Sequence, residues 1–168
     1  QNPPHEYFHL VHQYLAPVQL PVWLFEGSAS FFGEMIGYSN FSNPVPRKLQ
    51  QGFNTGHDFD PDNAGFDPNR FEKWLATATS ADLTKVFKVL ETEPARARRY
   101  YAEYALGSWA TEALVAVYGV DGFMKIWQNA GNGQSFETAF KSAFGLTPDE
   151  FYVKLTPYLN SRKNPKIN

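Results

Sequence analysis

The first residues of the chain place two histidines and a glutamate at a spacing that could bind a metal. His5, Glu6 and His9 form the pattern H-E-x-x-H. Residues four apart on a helix lie on one face, about 6 Å apart along the axis, so both imidazoles can bind one Zn²⁺ ion. Glu6 could then act as the general base for attack of water on a carbonyl. The competing interpretation is an ordinary, partly exposed helix that happens to carry histidines.

His12 lies on the same helical face but does not extend this pattern. It follows His5 by seven positions, which is about 10 Å along a helix axis, so one ion cannot bind both side chains. We therefore expect His12 to lie behind the metal ligands or at the edge of the core.

A third ligand is needed if a water is to keep the fourth position of a tetrahedral zinc site. Glu26 is the candidate, because it stands in the apolar stretch "LPVWLFEGSASFF". An unpaired carboxylate is costly to bury, so this one should meet a cation or hydrogen-bond donors. A zinc ion held by the neighbouring helix would satisfy it.

The two stretches together, "HEYFH" and "WLFEGSAS", resemble the gluzincin zinc metallopeptidases, including peptidase-MA-like and aminopeptidase-N-like catalytic domains. The resemblance implies that His5, His9 and Glu26 bind Zn²⁺ and that Glu6 is the general base. The interval from His9 to Glu26, 17 positions, is about two shorter than in the aminopeptidases. Ser30 replaces the aspartate with which thermolysin-like members orient a ligand histidine, so the sequence identifies no such partner here.

A tyrosine further along the chain fits the same resemblance. In "YYAEYALGSW", Tyr104 and Gly107 match the Y-x-x-G of aminopeptidase-N-like gluzincins. This implies that Tyr104 donates a hydrogen bond to the oxyanion that develops during hydrolysis. The alternative for Tyr104 is an amphipathic ring packed at the edge of the core.

The remaining patterns predict a mainly α protein of seven or eight helices. Pro4 suits a first helical position, and Pro21 opens a second, apolar helix that we expect to be buried. Ser80 is a candidate N-cap, and Gly119 should end a long helix. Thr147 with Glu150 forms a capping box.

One long segment between these helices is rich in Pro, Gly, Asn and Asp, which predicts an irregular insertion. Within it, Asp58, Asp60 and Asp62 are spaced like the start of a calcium loop. Asn63 and Asn69 stand where such a loop needs glycine and a bidentate glutamate, so we interpret it as a polar loop.

We therefore expect one helical domain over residues 1–168. Its parts are a metal-binding helix pair, a loop insertion, a helical subdomain and a tail, at 4–37, 38–70, 71–160 and 161–168. The resemblance implies a sheet upstream of the first helix, and none precedes Pro4, so we expect Gln1 to be a processed or truncated end.

Composition narrows the possible partners. A net charge of -2 gives no reason to expect nucleic acid, and no apolar run is long enough for a membrane span. The sequence thus predicts a zinc peptidase acting on peptides or proteins, or the metal-binding part of one, with an extracytoplasmic location favoured by the resemblance. The alternative is a non-catalytic helical fragment, a pseudoenzyme or an interaction module that retains a structural metal site. Oligomeric state is left open.

Overall fold

The computed structural model describes residues 3–37, 68–92 and 102–161. Every regular element in these ranges is a helix, which confirms the mainly α prediction. The helices are α1 (Pro3–Leu15), α2 (Val22–Gly37), α3 (Pro68–Thr77), α4 (Ser80–Thr92), α5 (Ala102–Gly131), α6 (Phe136–Phe144) and α7 (Pro148–Asn160). The predicted insertion, apart from its last three residues, lies outside the described residues, as do Asp58, Asp60 and Asp62.

Prolines set the limits of the two helices that carry the H-E-x-x-H pattern and Glu26. Pro3 and Pro4 occupy the start of α1, where a missing N–H costs no helical hydrogen bond. The N–H of Ala16 closes the last turn on the carbonyl of His12. Pro21 then accepts hydrogen bonds from Leu24 and Phe25 and so begins α2. The described side chains of α2 are buried except for Phe25 and Glu26, which are partly exposed.

Helix α5 consists of two helical stretches separated at one glycine. Gly119 has φ 71° and ψ 172°, which is outside the helical region and favours glycine. The predicted helix end at Gly119 is confirmed, because the helical conformation is interrupted there, although a second helical stretch follows directly. Val117 and Val120 beside the break are exposed.

The helix caps confirm one sequence prediction and correct another. Thr147 and Glu150 form the predicted capping box at the start of α7. The prediction of Ser80 as the N-cap of α4 is wrong, because Thr79 has that role. The Thr79 hydroxyl accepts a hydrogen bond from the N–H of Asp82 at 3.2 Å, and the Asp82 carboxylate accepts one from the N–H of Thr79 at 2.8 Å.

Removing the cap of α7 should weaken the fold. For Thr147→Ala we expect a loss of about 1 kcal/mol in the free energy of unfolding, because the N–H of Glu150 loses its acceptor. Urea denaturation measures this value. Thr156→Ala in the same helix is the matched control, since its hydroxyl only donates to a carbonyl already used by the helix. An equal loss in both variants would contradict the role of the cap.

Helix α2 lies between α1, α4 and α5, and α7 packs on α4. A buried chain of hydrogen bonds joins three of these helices at the base of α2. The indole N–H of Trp23 donates to the hydroxyl of Tyr152 at 3.1 Å, and that hydroxyl donates to Glu91 at 2.6 Å. Burial raises the pKa of Tyr152 well above its usual value, and the negative charge of Glu91 adds to the effect. The hydroxyl therefore stays protonated and holds α2 in place.

Two glycines let α2 approach its neighbours at backbone distance. A Cβ atom on Gly33 would lie 2.8 Å from the backbone of His5, and one on Gly27 would lie 2.2 Å from the carbonyl carbon of Gly107. Real Cβ contacts are not this short, so any side chain would push the helices apart. These contacts bring α1 and α5 against the segment of α2 that carries Glu26.

Within the described ranges, no helix combines the length and the apolar character needed to cross a membrane.

Candidate metal centre

Three side chains from α1 and α2 converge on one point. The Nε2 atoms of His5 and His9 are 3.0 Å apart. The Oε2 atom of Glu26 lies 3.2 Å from Nε2 of His5 and 3.3 Å from Nε2 of His9. The three atoms therefore form a nearly equilateral triangle. The structure thus brings together the three residues that the sequence predicted as ligands.

The cluster is shielded from solvent, which strengthens the electrostatic interactions between its three side chains. The exposed fractions of the His5, His9 and Glu26 side chains are 9%, 13% and 13%. Burial alone would raise the pKa of Glu26, but hydrogen bonds from the two imidazoles outweigh it and lower this pKa to about 2. Glu26 is therefore a carboxylate at any physiological pH.

The arrangement of donor atoms fits a small divalent cation. Zinc binds imidazole nitrogen at about 2.0–2.1 Å and carboxylate oxygen at about 2.0–2.2 Å, so neighbouring ligand atoms of a tetrahedral site lie about 3.3–3.4 Å apart. The three observed separations are within a few tenths of an ångström of that value. Two imidazoles and one carboxylate are also the ligand set of known catalytic zinc sites that keep the fourth position for water. The residues present therefore fit Zn²⁺.

The imidazole rings are oriented by different neighbours. Nδ1 of His5 lies 3.4 Å from the hydroxyl of Ser30, a long hydrogen bond between two buried groups. The ring of His9 stacks on Phe25, with centroids 4.2 Å apart and planes at 14°. Nδ1 of His9 is buried and has no hydrogen-bond partner among the described residues. The orienting partner that the sequence left unidentified is therefore Ser30 for His5, and aromatic packing for His9.

His12 is a core residue and not a ligand. Its side chain is fully buried and stacked 3.8 Å from the ring of Trp127, so of the two positions that the sequence left open, it takes the one behind the predicted ligands and not the one at the core edge. Ser28 donates its hydroxyl proton to the carbonyl of Leu24 at 2.6 Å. The hydroxyl oxygen therefore accepts from Nε2–H of His12 at 3.0 Å.

Electrostatics agree with this assignment of His12. The pKa of His12 is lowered to about 3, mainly by burial and also by the nearby His9 and His5, while the charge of Glu26 opposes the shift. The imidazole is neutral at physiological pH, and its ring lies against that of His9 with centroids 5.6 Å apart. His12 thus packs behind the cluster, against the ring of His9, as a neutral buried side chain.

The two predicted catalytic residues lie next to the cluster but outside the triangle. Glu6 follows His5 on α1; its side chain is exposed and makes no hydrogen bond or ion pair with the described residues. Tyr104 on α5 is half-buried, and its ring centroid is 6.0 Å from that of His5. Tyr104 is therefore placed where it could contact a molecule bound at the cluster.

Sequence reasoning missed one buried acid beside this cluster. Glu103, the residue before Tyr104, is 9% exposed. Burial raises its pKa to about 8, and the negative charge of Glu26 contributes to the shift. The available signal was its position four residues before Gly107, which places it on the face of α5 that meets α2.

No protein-family model, curated protein or solved structure matches the chain.

Proposed function

We propose that this protein is a zinc-dependent peptidase of the gluzincin type, or the metal-binding part of one. The observation that carries the proposal is the convergence of two imidazole nitrogens and one carboxylate oxygen within 3.0–3.3 Å, from residues spaced as H-E-x-x-H plus a glutamate on the next helix. His5, His9 and Glu26 hold the ion. The substrates are peptides or proteins, and an extracytoplasmic location belongs to the same proposal.

The proposed reaction divides the work among the residues around the cluster. When bound, Zn²⁺ supplies Lewis acidity, polarising a carbonyl and making water more acidic. Glu6 takes the proton of the attacking water and passes it to the leaving amine, and its exposure leaves it open to substrate. Tyr104 donates its hydroxyl to the oxygen on which negative charge develops. Ser30 and Phe25 keep the two imidazoles pointed at the ion.

A structural metal is the second candidate, and the position of the ligands favours it. The three ligands come from two helices, so an ion would join α1 to α2 as a cross-link. Structural zinc contributes directly to folding free energy. The two candidates differ in their response to metal removal, because only the peptidase has a hydrolytic activity to lose.

The test of the metal site compares two histidines one turn apart on the same helix. We expect the wild-type protein to bind one Zn²⁺ in a chelator competition assay. His9→Gln should weaken binding by more than about 100-fold, because removing a ligand costs more than removing a residue that only supports one. His12→Gln is the matched control, since this imidazole hydrogen-bonds Ser28 and not the ion. It should retain one Zn²⁺.

Thermal unfolding gives the same test a second readout. Zinc at 100 times its dissociation constant should stabilise the wild-type protein by about 2.7 kcal/mol, and His9→Gln should lose that increment. A wild-type protein that binds no zinc would refute the proposal. Equal losses of zinc in the two histidine variants would refute the assignment of ligands.

A further inference from the structure

Three ring nitrogens behind the metal cluster are buried and have no hydrogen-bond partner among the described residues. They are Nδ1 of His9, Nδ1 of His12 and Nε1 of Trp127. The side chains of His12 and Trp127 are fully buried. A buried polar atom without a hydrogen bond is costly, so nearly all such atoms in folded proteins are paired with protein groups or with ordered water. Unpaired nitrogens on adjoining rings indicate a common polar partner.

The rings that carry these nitrogens are packed together in apolar surroundings. The centroids of His9 and His12 are 5.6 Å apart, with planes at 60°. His12 stacks on Trp127 at 3.8 Å and 11°, and its ring also lies 4.6 and 4.9 Å from those of Phe8 and Phe25. An aromatic N–H and a nitrogen lone pair lie in the plane of their ring, so stacked rings cannot hydrogen-bond each other directly. A group outside the rings must join the nitrogens.

The proton of each imidazole is located by what its other nitrogen does. The hydroxyl of Ser28 donates to the carbonyl of Leu24 at 2.6 Å and therefore accepts from Nε2–H of His12 at 3.0 Å. The neutral ring of His12 has one proton, so its Nδ1 is an acceptor. Nε2 of His9 belongs to the ligand triangle, 3.3 Å from Glu26. When that nitrogen binds the ion, the proton of His9 is on Nδ1, which is then a donor.

We propose that one water molecule binds between these rings and makes His12 a positioning residue for the zinc ligand His9. The water accepts hydrogen bonds from Nδ1–H of His9 and Nε1–H of Trp127, and it donates one to Nδ1 of His12. Three partners are usual for a buried water. One water spans two polar atoms up to about 5.6 Å apart, twice the usual length of a hydrogen bond, which suits rings with this separation. This inference rests on the proposed zinc site and not on the proposed hydrolysis.

The water would complete a chain of hydrogen bonds from the metal ligand to the backbone of α2. His9 donates to the water, the water to His12, His12 to Ser28, and Ser28 to the carbonyl of Leu24. Each bond runs in the same direction, and bonds in such a chain polarise one another. A partner on the second nitrogen of a ligand histidine fixes its proton and raises its basicity. The chain should therefore orient His9 and tighten zinc binding.

Two substitutions of His12 separate this hydrogen bond from packing. His12→Phe keeps an aromatic ring against Trp127 and removes both nitrogens, whereas His12→Asn loses the ring but places a carbonyl oxygen near the position of Nδ1. In chelator competition we expect zinc affinity to fall by about 10–100-fold in His12→Phe and by less than about 10-fold in His12→Asn. If His12 acted only through packing, phenylalanine would be the better replacement. Zinc binding by His12→Phe that is at least as tight as by His12→Asn would overturn the inference.

Phe8→Leu is the matched control, because it alters a buried apolar neighbour of the His12 ring without removing a polar atom. Urea denaturation should show a lower free energy of unfolding than in the wild type, while the zinc affinity of the folded protein stays unchanged. A loss of zinc affinity in Phe8→Leu equal to that in His12→Phe would overturn the inference, since packing alone would then explain both.

NMR of the zinc-loaded wild-type protein tests the arrangement without any substitution. With ¹⁵N-labelled histidine we expect the proton of His9 on Nδ1 and that of His12 on Nε2. We also expect cross-relaxation between Hδ1 of His9 and a long-lived water. A protein that binds zinc but has the His12 proton on Nδ1, or no such water at His9, would overturn this inference and leave the zinc site standing. A wild-type protein that binds no zinc would refute the zinc site and this inference with it.

Discussion

Glu6→Gln should lower kcat/KM for peptide hydrolysis by about 10²–10⁴-fold and leave zinc binding intact. The amide has nearly the shape of the carboxylate, but it cannot take a proton from the attacking water. The structure predicts little structural cost, because Glu6 is exposed and makes no hydrogen bond or ion pair with the described residues. Steady-state rates on a fluorogenic peptide library measure the loss, and chelator competition measures the retained metal.

The control for this prediction is the same chemical change away from the cluster. Glu137→Gln alters an exposed acid on α6 and should keep wild-type rates. Full activity in Glu6→Gln would contradict the assignment of the general base. Zinc-loaded wild-type protein that hydrolyses no peptide, and that loses thermal stability on chelation, would support the structural metal instead.

The convergence of the three candidate ligands was predictable because each of them is marked by a local feature of the sequence. His5 and His9 need only a helix to share a face, and Pro4 supplies the start of that helix. Glu26 was identified because a carboxylate in an apolar helix needs a counter-charge. The structure shows that the three donor atoms do converge.

The supporting residues were not predictable in the same way, because they depend on how the helices pack. Ser30 reaches His5 only because Gly33 lets α1 approach α2 at backbone distance. Buried His12 faces Ser28 across the same helix pair. Glu103 gains its raised pKa from burial and from Glu26, which is 77 positions earlier in the chain (103 − 26). None of these partners can be found by a spacing rule within one helix.

The helix ends likewise include one cap that the sequence predicts and one that it does not. The capping box at Thr147 was predictable, because threonine and glutamate at the required spacing flank a proline. At α4 the sequence offers Thr79 and Ser80 in succession, and both are good N-caps. Asp82 decides between them, since it lies three residues after Thr79 and its carboxylate accepts from the Thr79 backbone. Both N-caps thus depend on a pair of residues, so a threonine or serine alone predicts the position of a cap only weakly.

Gly107→Ala should destabilise the protein by about 3 kcal/mol or more. The new Cβ would lie 2.0 Å from the carbonyl oxygen of Trp23, so α5 must move away from α2. Overpacking usually costs about 1–3 kcal/mol, and here the obstacle is backbone, which cannot change rotamer. Urea denaturation measures the free energy of unfolding. Zinc affinity should fall as well if the movement reaches Glu26 through Gly27.

The sign of the change in unfolding free energy tests whether α5 contacts α2 at Gly107. In a helix without such a contact, replacing glycine by alanine stabilises by about 1 kcal/mol, because the backbone of glycine loses more entropy on folding. Gly145→Ala is the comparison: φ is 74° there and a Cβ would meet nothing within 4 Å, so only backbone strain of about 1–2 kcal/mol is added. Stabilisation by Gly107→Ala would contradict the packing of α5 on α2. A larger loss of unfolding free energy in Gly107→Ala than in Gly145→Ala would support the close contact of Gly107 with Gly27. Gly27 follows Glu26 and Gly107 belongs to the Y-x-x-G pattern, so this contact would align Tyr104 with the cluster.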